Sequence, residues 1–201
     1  MPSRHSLTTR PIAALFVQTN GMYYGLDGVD PWDEKRDARL YDGPYPVVAH
    51  PPCSRWCVPL AYVNQTRYGH KVGDDGGCFK HALACVRRFG GVLEHPASSV
   101  AWRHFGLTPP HDKAWSRCFD GGWVCEVAQS AYEHRARKLT WLYMFGGDPI
   151  SLNWAAPMGE ALVSSLTRSR RVAPRLSKKE ASRTPLKFRD VLISVARSVR
   201  L

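Results

Sequence analysis

No apolar run in the 201 residues comes near the roughly 18 that a membrane-crossing helix needs; the longest, Pro46–Ala49 and Thr140–Phe145, are of strand length. The N-terminal segment MPSRHSLTTR has no signal-peptide core, so the expectation is a soluble, cytoplasmic protein. None of the six cysteines forms a CxxC pair, which argues against paired-thiol zinc modules, and without a secretion signal a disulfide framework is not expected. Cys78, His81 and Cys85 are spaced to share one helix face and Cys53 and Cys57 are four apart, but such thiols pack more often than they ligate, and no metal is expected. Internal repeats and low-complexity segments are missing as well.

Acidic residues are the scarce charge. Seventeen Asp and Glu face 28 Lys and Arg, for a net +11, which points to a polyanionic partner. Residues 168–201 hold eleven of the cations against only Glu180 and Asp190, so nine of the eleven net charges lie in this tail. The expected organisation is a catalytic domain over 1–167 and a basic helical tail over 168–201. Arg168, Arg170, Arg171, Lys178 and Lys179 are the candidates to contact a nucleic-acid backbone.

Apolar periodicity then sets the elements. The run ending at Phe16–Val17 and broken at Asn20–Gly21 reads as a strand entering a turn; Asp33–Leu40 is able to form one short helix. Pro46–His50 reads as a central strand running into Pro51-Pro52-Cys53. Phe79, Ala82, Leu83, Val86 and Phe89 predict a helix from about Gly77 to Arg88, stopped by Gly90-Gly91, and Val92-Leu93-Glu94 the next strand. A strand, a helix and a strand in this order form a βαβ unit, whose strands are parallel, so Cys53 and Glu94 meet at one sheet edge although 41 positions separate them. Two later strands are expected near Gly122–Val127 and Leu139–Phe145. In the tail, Ser177 to Glu180 is a capping box, and Thr184-Pro185 opens a helix whose Phe188, Val191, Leu192, Val195 and Val199 form an apolar stripe that docks on the rest of the chain.

At HPPCSRWC (50–57), EHP (94–96) and YEHRARKLTWLYMFG (132–146) the sequence resembles the DNA cytosine-5 methyltransferases, with Glu-His-Pro standing where that family has Glu-Asn-Val. The resemblance spans about residues 11–150 and implies a three-layer, Rossmann-like methyltransferase-type α/β sheet, truncated and carrying the C-terminal basic helical extension. It implies DNA as the nucleic acid and S-adenosylmethionine as a cofactor, held by a reduced pocket at Phe16, Asn20, Gly21 and Asp30. Cys53 would be the nucleophile that adds to carbon 6 of a flipped pyrimidine, its thiolate favoured by Arg55 and His50. Glu94, its pKa raised by burial, would act as acid/base at ring nitrogen 3. Arg135 and Arg137 would pin the nucleotide, with His50, Arg55, Trp56, His95, Gln129 and Tyr132 lining its site. Such a compact basic protein would suit a bacteriophage. Two other readings stay open: an S-adenosylmethionine-independent base-acting enzyme that excises or hypermodifies, and a non-catalytic DNA-binding protein.

Overall fold

The computed structural model describes residues 10–57, 65–163 and 172–200. Its centre is one mixed sheet of seven strands in the order β2-β1-β3-β4-β7-β6-β5. These are β1 (Ile12–Leu15), β2 (Val29–Trp32), β3 (Val47–Ala49), β4 (Gly91–Pro96), β5 (Ser116–Arg117), β6 (Trp123–Ala128) and β7 (Leu139–Phe145). The first four in space run parallel, β7 pairs antiparallel with β4, and β6 antiparallel with β7. The carboxyl ends of β1, β3, β4 and β6 and the start of β7 therefore share one edge.

The crossover from β3 to β4 contains helix α1 (Cys78–Phe89), as its periodicity predicts. Asp75 starts it, accepting from the amides of Gly77 and Phe79, and Gly90, at φ 74°, ends it. Gly91 follows with φ 122°, and a β-carbon there would lie 2.0 Å from the Val47 carbonyl oxygen, so the β3–β4 pairing needs glycine at this point.

Strand alternation divides the core in two. Ala13, Leu15, Val47, Ala49 and Leu93 face α1, together with Phe79, Val86 and the short helix α2 (Ala101–His104). Ile12, Ala14, Val48, Val92, Leu142 and Met144 face the other way, onto α4 (Leu186–Ser198). The predicted stripe is what docks: Phe188, Leu192, Val195 and Val199 are completely buried against this second face. The capping box forms at the start of α3 (Lys178–Ser182), Ser177 and Glu180 bonding reciprocally.

Three details depart from the sequence reading. Asp33–Leu40 holds only a single 3₁₀ turn at Ala38–Leu40. Strand β2 passes through Asp30 and Pro31, which break the apolar alternation; an outermost strand tolerates both, because one of its edges needs no partner. Pro185, rather than Thr184, is the N-cap of α4, and no side chain caps it.

Candidate active site

Alternation along β4 separates the residues of Glu94-His95-Pro96. Glu94 falls on the α4 side of the sheet and His95 on the α1 side, where its ring meets Phe79 and Trp102 edge-on. Burial holds His95 neutral, its pKa pushed down to about 4 against the opposing Glu94 charge and a hydrogen bond to the Pro52 backbone. His95 is thus 1% exposed and packed in the first core, on the face opposite Glu94.

Glu94 is the hub of a polar cluster in the second core. Its Oε2 lies 2.9 Å from Nδ1 of His50, and its Oε1 accepts from the Gln129 amide at 3.1 Å. Gln129, fully buried, also donates to Thr140 at 2.9 Å. His50 sits where the β1–β3 ladder continues one residue past β3, its amide donating to the Leu15 carbonyl, and its Nε2 is 2.8 Å from the Tyr23 hydroxyl. The loop after β1, the end of β3, the end of β4, the turn after β6 and the start of β7 thereby each send one side chain to the same place. Tyr23 and Thr140 escaped the sequence reading; a tyrosine in the loop after a parallel strand gives no signal by itself.

Burial acts on Glu94 in the expected direction and is the largest single influence, yet the net result is opposite. The hydrogen bond from His50 and the charge of Lys138, with smaller contributions from the His50 and His95 rings, outweigh it and hold the carboxyl down at about 2. Glu94 is therefore a carboxylate at neutral pH. The expectation of a raised pKa is corrected: burial was legible in the sequence, whereas the donors that override it come from other strands.

Cys53 lies half-buried in the turn that follows β3, and Cys57, one turn on, donates its amide to the Cys53 carbonyl at 2.9 Å. The Cys57 thiol hydrogen-bonds Cys53, and with help from Lys138 this outweighs burial and the Glu94 charge, lowering Cys53 to about 7 and pushing Cys57 up. The cation that acts on Cys53 is thus Lys138, in place of the expected Arg55 and His50. Lys138, half-buried just before β7, acts electrostatically on Cys53, Glu94 and His95 together.

Several other candidates lie outside this cluster. Trp56 is a core residue, its indole N–H donating to Asp75 at 2.7 Å and its ring packed on Phe79 and Phe105. The Tyr132 hydroxyl accepts from the Asn153 amide, and its ring packs on Phe188. Arg135 pairs with Glu180 of α3 at 3.0 Å, while Arg137 is exposed with Nη1 3.6 Å from the Met158 sulfur. Arg55 is half-buried, its carbonyl accepting from Gly73. Lys178 and Lys179 are exposed on α3; Arg168, Arg170 and Arg171 lie outside the described residues.

The loop after β1 has left-handed backbone at Phe16 and Asn20, and Gly21 turns tightly onto the Gln18 carbonyl. The acidic groups beside it are engaged by protein donors. Asp33 accepts from the hydroxyls of Thr19 and Tyr24 and from the amides of Arg36 and Lys35, which fills the four acceptor positions of a carboxylate. Asp30 takes the Trp32 indole N–H and the Arg36 guanidinium, which stacks on Trp32. Among the described residues, no group of three or more His, Cys, Asp or Glu side chains is arranged to hold a metal ion; Cys85 meets His81 at 3.2 Å.

Fold and cluster together define a mixed α/β protein with a buried carboxylate-centred network at the carboxyl edge of its parallel strands. Comparisons with family models, with curated proteins and with solved structures find no match to the chain. No helix among the described residues is long and apolar enough to cross a membrane.

Proposed function

We propose that this chain is a nucleic-acid base-modifying enzyme that acts on a flipped pyrimidine in DNA, with cytosine-5 methyltransferase-like chemistry at Cys53. The observation that carries this reading is that the half-buried Cys53 thiol, lowered to about 7, lies at the same sheet edge as the buried Glu94 carboxylate and within electrostatic reach of Glu94 and Lys138. The strand order supports it further: β1 is flanked by β2 on one side and β3 on the other, and in Rossmann-like sheets ligands bind beyond the carboxyl ends at such a switch point.

The thiolate of Cys53 adds to carbon 6 of the ring, and the electron pair of the 5,6 double bond moves to carbon 5, leaving an enamine-like anion whose negative charge is shared with ring nitrogen 3 and the carbonyl oxygen. Glu94, being ionised, serves as an acceptor: it takes a hydrogen bond from the exocyclic amine of cytosine and so orients the ring, while a keto-pyrimidine would turn an oxygen toward it. Lys138 takes over the role expected of Arg135 and Arg137, offsetting negative charge on the ring. Exposed Lys178 and Lys179 contribute phosphate contacts.

A second reading, a base-acting enzyme independent of S-adenosylmethionine, is favoured by Asp33, whose four acceptor positions are taken by protein donors, and by Asp30, both of whose oxygens already meet a donor. One experiment serves both. The enamine can take a deuteron at carbon 5 and then expel the original proton and the thiol, so cytosine-containing DNA incubated in D₂O gains one mass unit per turnover without any donor. We expect this exchange from the native protein and none from Cys53→Ala; equal exchange in both rejects the nucleophile, and a methylated product only when S-adenosylmethionine is added separates the first reading from the second.

A further inference from the structure

His50 has no free ring nitrogen to offer a substrate. A carboxylate only accepts, so Nδ1, 2.9 Å from Glu94 Oε2, carries the hydrogen; in the neutral ring Nε2 is then the acceptor, 2.8 Å from a Tyr23 hydroxyl whose proton burial and the Glu94 charge retain. We infer that Tyr23 and His50 are positioning residues: the phenol fixes the imidazole as its Nδ1–H tautomer, and the imidazole fixes Glu94 as an oriented acceptor, linking the loop after β1 to the carboxylate that reads the base. The inference deepens the reading given above and rests on it for the word "base"; the relay itself rests on the geometry.

Each member is held from a different direction. His50 is anchored through its amide to β1, and Tyr23 is 3% exposed in the second core. Gln129 holds the other Glu94 oxygen, so the carboxylate is fixed at both ends and reaches the surface only through a residual 9% of its side-chain area. The charged and titratable groups around Glu94 are His50 from the end of β3, Lys138 from the approach to β7, His95 from its own strand, and Cys53 and Cys57 from the turn after β3. Tyr23, from the loop after β1, also senses Arg189 and Asp190 of α4. Of these, only His50 hydrogen-bonds the carboxylate, so removing the imidazole should release Glu94 toward ordinary behaviour, which no packing role would do.

The test needs no substrate. In protein labelled with ¹⁵N-histidine and ¹³C-carboxyl glutamate, with Glu94 assigned through Glu94→Gln, His50 should show a protonated Nδ1 and bare Nε2, and the Glu94 signal should stay at its ionised position as pH falls through 4. His50→Leu should raise the Glu94 midpoint by at least about one pH unit; His50→Asn, which keeps a donor near Nδ1, should restore most of it; Tyr23→Phe should give mixed tautomers. A protonated Nε2 in the neutral imidazole of the native protein at pH 8, or a Glu94 midpoint indifferent to His50→Leu and Tyr23→Phe, overturns the relay. If His50→Leu does not fold, Tyr23→Phe and His50→Asn carry the decision. In the deuterium-exchange assay, kcat should fall about 10- to 100-fold in Tyr23→Phe, with KM little changed, the range lost when an outer partner of a site ligand is removed. Exchange missing from the native protein despite the expected spectra would reject the enzymatic reading and leave the relay standing.

Discussion

Cys53 and Glu94 show how neighbours reverse what burial alone dictates. An ordinary thiol near 9.0 is mostly protonated at neutral pH; with Cys57 donating and Lys138 nearby, Cys53 falls to about 7. Iodoacetamide should therefore label Cys53 with a midpoint near pH 7, followed by mass spectrometry of the peptide, and Cys57→Ala should move that midpoint upward; an unchanged midpoint would remove Cys57 from the account. For Glu94 the folded pKa is depressed, from 4.5 to about 2, so its contribution is present above pH 4.5 and is lost as pH falls toward 2. That difference corresponds to about 3 kcal/mol. Urea titrations between pH 5 and pH 2 should thus show a flatter loss of stability in Glu94→Gln than in the native protein.

The C-terminal helix α4 carries two roles that charge counting alone merges. Its apolar stripe covers one face of β1, β3 and β4, while three of its cations hold the chain together: Arg189 donates to the Met22 carbonyl, Arg197 to the carbonyls of Arg10 and Asp27, and Lys187 pairs with Glu133. Phe188→Ala should cost about 3–5 kcal/mol and Leu192→Ala about 2–5 kcal/mol in urea denaturation followed by circular dichroism. The joined change Lys178→Glu and Lys179→Glu on α3 should stay within about 0.5 kcal/mol, because both side chains are exposed. Gly91→Ala belongs with the severe changes, since its new carbon would collide with the Val47 backbone.

In the protein as a unit, α4 serves folding, and the proposed phosphate contacts lie on α3. Truncation after Thr184 removes α4 and uncovers the second core, so the shortened chain should be unfolded by circular dichroism and say nothing about nucleic acid. Lys178→Glu with Lys179→Glu keeps the fold and tests the tail. If both cations meet phosphates, the slope of log affinity against log salt should drop by about 0.9 for each phosphate no longer neutralised, equally for every DNA sequence. An unchanged slope would move the binding surface elsewhere, with the exposed Arg137, next to Lys138 in the chain, as the following group to reverse.

Local pattern was enough for elements whose signals are contained in a dozen residues. The spacing of Phe79, Ala82, Leu83 and Val86 determined α1, Ser177 and Glu180 determined the cap of α3, and the strand–helix–strand order around α1 determined that Cys53 and Glu94 share an edge. Side-chain direction was beyond that reach. Whether Glu94 or His95 meets His50 depends on which strand face α4 covers, and that is settled by packing between segments about 100 residues apart. The ionisation of Glu94 is equally non-local: burial is a property of one strand, but the hydrogen bond and the ammonium that overcome it arrive from the end of β3 and from the approach to β7, and their Coulomb and hydrogen-bond energies exist only once those strands are side by side.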